Sequence, residues 1–201
     1  MLPISDVPDA SAAELTRILA LLTGAPDRTG AVVALVGELA LLLTVAVWMW
    51  LWWLGRGTGP ATTAAVFAVP VATVLAWQLN ELLKDALAVD RPCRLLTGFP
   101  EWGVCPDPGS WSFPSNHSAV AGALAVGVLL VALRLGARGV GLLALGCGLA
   151  VAGSRVLAGA HFPHDVVVGF GLGGMVAVVT LTLGVLLAGR LPAARRHAGR
   201  R

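Results

Sequence analysis

Residues 31–54 read AVVALVGELALLLTVAVWMWLWWL, an apolar run interrupted only by Gly37, Glu38 and Thr44. As a helix, these roughly 24 positions extend about 36 Å, enough to cross a hydrocarbon core of ~30 Å. The run closes on Trp48, Trp50, Trp52 and Trp53, an aromatic cluster of the kind that settles at the membrane–water interface. Composition agrees with a bilayer as solvent. Of 201 residues, 57% are hydrophobic and only 12% charged, and the mean hydropathy is +0.82. A soluble domain of this length needs far more charge to cover its surface.

A second span covers about 60–83 and contains Pro70, which a membrane helix tolerates where a neighbour satisfies the freed carbonyl. Three more spans follow at about 117–135, 139–158 and 164–189. Residues 84–116 between them are polar and rich in Pro and Gly, too broken to cross. In Ala10–Leu22, Leu15, Ile18, Leu19 and Leu22 recur at helical spacing while Glu14 and Arg17 are polar. That pattern predicts an amphipathic helix lying on the membrane or packed against the bundle. The expected fold is all-α: a polytopic membrane helical bundle of about five transmembrane helices plus the N-terminal amphipathic helix, one domain over residues 1–201.

With five spans, Arg56, Arg134, Arg138 and the basic tail 190–201 fall on one side, which the positive-inside rule makes cytoplasmic. The N-terminal segment 1–28, carrying Asp6, Asp9, Glu14 and Asp27 against Arg17 and Arg28, then lies outside, with the loop 84–116 and the turn around His161. The chain is expected in the plasma membrane with its chemistry facing outward. Residues 1–28 lack the charged, apolar and cleavage regions of a signal peptide, so targeting is expected to come from the spans. The formal net charge is +3, but the basic residues sit at span ends and in the tail (Arg195, Arg196, Arg200, Arg201). This distribution indicates topology control and anionic lipid rather than nucleic acid. In an oxidising compartment, Cys93 and Cys105 can close a disulfide across the outer loop, the alternative being two free thiols. Cys147, within a span, is expected to be a small packing residue.

Three polar blocks lie at outer span ends. The first contains Lys84 and Arg91, seven residues apart. A continuous helix would place them on one face, as a paired cation site for phosphate or as two snorkelling anchors. The second runs Ser112-Phe113-Pro114-Ser115-Asn116-His117-Ser118. Ser115 or Asn116 is suited to cap the following helix, whose N-terminus is an anion site with His117 in its first turn. The third holds Gly153-Ser154-Arg155 and then His161-Phe162-Pro163-His164-Asp165. Pro163 is expected to open the last helix, with Asp165 in its first turn. His161 with Asp165 has the elements of a nucleophile whose tautomer a carboxylate fixes, and His164 is its rival.

Together, Lys-x6-Arg-Pro, Pro-Ser-x-His and Ser-Arg-x5-His-x3-Asp resemble the signature of the type 2 phosphatidic acid phosphatase (PAP2) family, over roughly residues 60–190. The one departure is Asn116, where the family most often has Gly; Asn keeps the backbone N–H and tolerates unusual angles. The resemblance implies that Lys84, Arg91 and Arg155 hold the phosphate oxygens with Ser115 and the backbone at Asn116. It further implies that His161 attacks phosphorus, Asp165 orients it, and His117 protonates the leaving oxygen before activating water. No metal or other cofactor is implied, since three fixed cations can supply the charge stabilisation and the chain lacks an evident carboxylate cluster for one. His161 must be neutral while His117 is protonated, which predicts a bell-shaped pH dependence.

The expected substrate is a lipid phosphate entering from the membrane. A polyprenyl diphosphate or polyprenyl-linked phosphate is favoured by family analogy and the outward site; phosphatidylglycerophosphate and phosphatidic acid are the alternatives. A non-catalytic phospholipid or polyprenyl carrier is disfavoured because binding alone would not require His117, His161 and Asp165. Vanadium-dependent haloperoxidase chemistry is disfavoured by small size and membrane burial. Glu38 is an ionisable group inside a span, expected either to touch the headgroup or to pair within the bundle, and stands outside the expected site. Gly169 and Gly173 form a GxxxG pair suited to close helix packing. Trp102 and Trp111 are expected to be interfacial anchors or to line the entry.

Overall fold

A computed structural model describes residues 7–190, apart from 23, 97–98 and 100–104. Asp6, Trp102 and the tail arginines Arg195, Arg196, Arg200 and Arg201 lie outside the described residues. The regular structure of the described residues is helical: α1 Asp9–Leu21, α2 Thr29–Gly55, α3 Pro60–Leu87, α4 Pro92–Leu95, α5 Asn116–Arg134, α6 Arg138–Leu157 and α7 Pro163–Arg190. The helices α2, α3, α5, α6 and α7 are long and apolar enough to cross a membrane, within a few residues of the expected spans. Their outer faces expose Leu35, Leu39, Leu42, Phe67, Leu75, Leu143, Leu149, Val167 and Leu183 among others, a surface that only hydrocarbon can solvate cheaply. The chain is a multi-pass membrane protein.

Helix α5 is the centre of the bundle, packing on α3, α6 and α7. Its buried face is made of small residues, including Ala119, Ala121, Gly122, Ala123, Ala125 and Gly127. In a bilayer, helices associate through such close backbone approach rather than through apolar burial. A Cβ at Gly173 would collide with the carbonyl oxygen of Ala119, and one at Gly122 with that of Phe170. The pair Gly169 and Gly173 therefore seats α7 on α5, as the spacing predicts. Helix α2 packs chiefly on α6 through a stripe seven residues apart, Gly30, Gly37, Thr44 and Leu51.

Pro70 lies inside α3 and so cannot donate to the carbonyl of Val66 one turn earlier. The Trp48 indole N–H donates to that oxygen at 3.1 Å, so α2 supplies the hydrogen bond that α3 lacks. At the same end of the bundle, the Arg56 guanidinium lies 3.8 Å from the Trp53 ring centroid and 4.7 Å from that of Trp52, a cation–π stack.

Two expectations about α3 and α1 need correction or completion. Helix α3 stops at Leu87, with Ala88 in the left-handed region (φ 50°, ψ 42°) donating back to the Lys84 carbonyl. Arg91 is extended (φ −79°, ψ 156°), because the residue before a proline is driven from helical angles by Pro92. Lys84 and Arg91 therefore do not share a helical face; the chain turns to bring them together. Helix α1 packs against the bundle, with Leu15 and Leu19 buried among Ala152, Val156, Phe162 and Val166.

The pairing across Pro70 makes a direct prediction. Trp48→Phe strands the buried Val66 carbonyl and should cost about 1–3 kcal/mol of stability. In a Pro70→Ala background the new amide serves that carbonyl, and the same substitution should cost about 1 kcal/mol less. Unfolding in detergent checks this, and equal costs in the two backgrounds would refute it.

Candidate active site

The three sequence blocks meet at the end of the bundle formed by the C-termini of α3 and α6 and the N-termini of α2, α5 and α7. Arg56, Arg134, Arg138 and Arg190 lie at the other ends of these helices. Helix N-termini carry unsatisfied N–H groups and a positive partial charge, so α5 and α7 favour an anion here before any side chain is added.

Asp165 organises the floor of the site. In the first turn of α7 and fully buried, its Oδ2 accepts hydrogen bonds from the Phe162 amide at 3.0 Å and from the Ser112 hydroxyl. The Nδ1 of His161 lies 3.4 Å from the same oxygen and 3.4 Å from Ser112 Oγ. The backbone carbonyl of Asp165 accepts the Ser115 amide at 3.1 Å, locking the starts of α5 and α7 together. On the far side of the His161 ring, an Arg91 N–H donates to Nε2 at 3.3 Å. Nε2 is thus the acceptor nitrogen and the proton resides on Nδ1, the tautomer a nucleophilic Nε2 requires. Burial pushes the His161 pKa down from 6.5 to about 4, against the opposing pull of Asp165 and with further lowering by Arg91. The imidazole is therefore neutral at physiological pH.

Arg91 meets this nitrogen and Lys84 shares a cavity with His161. Lys84 is buried and donates to the Trp111 carbonyl at 3.0 Å. Arg91 is buried and donates to the Ser110 carbonyl (2.9 Å), the Ser110 hydroxyl (3.1 Å) and the Ala160 carbonyl (3.0 Å). Among the described residues, no carboxylate forms an ion pair with either. A cavity of about 290 Å³ opens over them, lined by Lys84, Arg91, Ser110, Asn116, His117 and His161 and by the carboxylates Glu81 and Asp85, which stand outside ion-pairing distance. A second, of about 340 Å³, lies toward the start of α2 and shares Arg91, His117 and His161, adding Arg155, Ala31 and Ala34. Buried charges demand compensation, and an anion in the first cavity would supply it.

Arg155 is held by Ser154 Oγ (3.2 Å) and the Ala34 carbonyl (3.3 Å). Asn116 opens α5 at ordinary helical angles, so the left-handed tolerance of Asn is not used. Its side-chain amide donates to Glu81 and accepts from Asn80, ties to α3 that glycine could not make. Ser115 departs from expectation. It is fully buried, its hydroxyl accepts from Ser118 at 3.1 Å, and it lines neither cavity; its position at the head of α5 seats the helix.

His164 also lines neither cavity. Its Nδ1 lies 2.8 Å from Ser11 Oγ on α1 and its Nε2 3.0 Å from Asp165 Oδ1, out of hydrogen-bond alignment. Phe113 and Phe162 stack on its ring. The geometry favours His161 over this rival. Cys93 and Cys105 are joined in a disulfide beside Arg91. Trp111 lines the first cavity. Sequence reasoning gave no role to Ser110, Ser112, Asn80 or Glu81, and left Glu38 aside. Glu38 pairs here with His117 and Arg155. For Ser112, membership of the second block was the available signal.

Residues 61–186 match the family model of the PAP2 superfamily. Over 113 residues the chain is 28% identical to the undecaprenyl-diphosphatase of Sulfolobus acidocaldarius, an alignment covering 56% of this chain and 52% of that protein; the chain thus spans about half the length of this curated relative. A solved structure, described as the first transmembrane PAP2 type phosphatidylglycerolphosphate phosphatase, from Bacillus subtilis, superposes with a TM-score of 0.65 at 21% identity, covering 95% of this chain and 90% of that one. This likeness extends to the fold.

The His161 environment predicts its titration. In NMR of histidine-labelled protein, the His161 signal should titrate near pH 4. Asp165→Asn removes the group that favours the charged ring and should move the midpoint lower still. A midpoint near the ordinary 6.5 would contradict the buried, neutral imidazole.

Proposed function

The chain belongs to the PAP2 superfamily, and from that premise we propose that it is a metal-independent lipid phosphatase that cleaves a polyprenyl diphosphate or related polyprenyl phosphate at the outer membrane face. The observation that carries the reading is the pair of buried cations, Lys84 and Arg91, neither in an ion pair among the described residues, at the cavity that His161 also lines. Such a cavity suits a phosphoryl group, whose transfer needs chiefly positioning and charge stabilisation.

In this mechanism Lys84, Arg91 and Arg155 take the phosphate oxygens, and Arg91 releases Nε2 as it does so. Nε2 attacks phosphorus, forming a P–N bond as the P–O bond to the leaving group breaks, while His117 delivers a proton to the departing oxygen. The Nδ1 proton stays directed at Asp165 as positive charge develops on the ring. His117, now neutral, takes a proton from water as that water attacks phosphorus; the P–N bond breaks, Nε2 regains its lone pair and inorganic phosphate leaves. Lipid character in the substrate is supported by the site's position at the end of an apolar bundle and by the small apolar lining at Ala31 and Ala34. The polyprenyl preference is supported by the similarity to an undecaprenyl-diphosphatase. The fold likeness to a phosphatidylglycerolphosphate phosphatase keeps that headgroup as the competing substrate. Outward placement is supported by the arginines at the opposite helix ends.

Phosphate release by the purified protein tests the reading, using a polyprenyl diphosphate, phosphatidylglycerophosphate and phosphatidic acid with a chelator throughout. The expected result is metal-independent turnover, fastest on the polyprenyl substrate, lost by on the order of 10⁴-fold or more in His161→Ala and retained in His164→Ala. Binding of all three lipids without turnover would replace the enzyme by a carrier. Loss in His164→Ala with activity kept in His161→Ala would reverse the nucleophile assignment.

A further inference from the structure

Each histidine of the site has a carboxylate of its own. That of His161 is Asp165, four residues along the chain; that of His117 is Glu38, from a helix remote in sequence. Glu38 Oε1 lies within ion-pairing distance of His117 Nε2, at 3.3 Å, and accepts a hydrogen bond from an Arg155 guanidinium nitrogen at 3.5 Å. The contact that brings it there is the preceding residue. Gly37 is buried against α6, where a Cβ would strike Ser154 Oγ and come within 2.9 Å of the Arg155 guanidinium. The absence of a side chain at 37 lets α2 approach closely enough for the next side chain to reach His117.

We propose that Glu38 is the positioning residue for His117, its carboxylate beside Nε2 holding the ring so that the other nitrogen exchanges protons with the leaving oxygen and then with water. The inference rests on the assignment of His117 as general acid. Two observations favour it over a purely structural ion pair. Arg155 is already anchored by Ser154 Oγ and the Ala34 carbonyl, so it does not need Glu38 to keep its place. His117, in contrast, has Glu38 as its one side-chain partner among the described residues, and it lines both cavities. A carboxylate within an apolar span is costly unless partnered, and the partners Glu38 meets are two groups of the site.

A group that acts through the general acid should matter in proportion to how much the leaving oxygen needs a proton. The test compares kcat/KM, which covers the steps through P–O cleavage, for two substrates with matched chains: a long-chain alkyl phosphate and a chain-bearing nitrophenyl phosphate. The alkoxide requires protonation, whereas the nitrophenolate leaves without it. Glu38→Gln is expected to lower kcat/KM for the alkyl phosphate by on the order of 100-fold and for the nitrophenyl phosphate by less than about fivefold. Glu38→Asp, whose shorter side chain withdraws from His117, should show the same selective loss and serves if the first variant does not fold. In a His117→Ala background, Glu38→Gln should add no further loss on the alkyl substrate. Equal losses on both substrates, or no loss on either, overturn the proposal while leaving the phosphatase reading intact, since wild-type turnover and its loss in His161→Ala are scored in the same assay. A wild-type protein inert toward both substrates and toward the polyprenyl diphosphate overturns the two together.

Discussion

Lys84 and Arg91 are buried at the end of a bundle whose flanks face hydrocarbon, and neither has a carboxylate partner within ion-pairing distance among the described residues. Unpaired cations in such a place cost several kcal/mol each unless something compensates. Here the compensation is partial: carbonyl and hydroxyl oxygens of Ser110, Trp111 and Ala160 take up their hydrogen bonds but bring no negative charge. An anion in the cavity would complete the compensation, and much of the surrounding structure serves to keep these cations in position. The disulfide between Cys93 and Cys105 closes the loop next to Arg91. Ala88 turns the chain between the two cations. The Asp165 network holds the imidazole against which Arg91 rests.

Small residues transmit this arrangement to the bundle. The starts of α5 and α7 must lie close for the Ser115 amide to reach the Asp165 carbonyl, and that closeness depends on Gly122, Gly169 and Gly173 meeting backbone rather than side chain. The same device at Gly37 draws α2 onto α6. Helix α1 joins the network from outside, through Ser11 against His164, so the amphipathic segment is part of the scaffold behind Asp165.

The helices were legible in the sequence because bilayer crossing imposes a length and an apolar composition that few other constraints imitate. The three blocks were legible because each sits at a span end, where polar residues stand out. The course of the chain from Lys84 to Arg91 was harder to read. Seven-residue spacing suggested one helical face, while the proline after Arg91 set its backbone apart. The phosphate role of Ser115 follows from the family resemblance alone, and the local sequence does not show that its buried hydroxyl pairs with Ser118. Glu38, and the service of Trp48 to the Val66 carbonyl, depend on contacts between helices far apart in sequence. Local pattern can mark an ionisable residue in a span as unusual without naming its partner.

The proposed mechanism requires that His161 Nε2 become covalently bound to phosphorus. Turnover stopped within milliseconds in alkaline denaturant, followed by mass spectrometry of the peptides, addresses it directly. Phosphate is expected on the peptide containing His161 during steady state, localised by fragmentation to His161, and absent in His161→Ala. Phosphate found on His164 or His117, or phosphate release with no covalent species at any time, would contradict it.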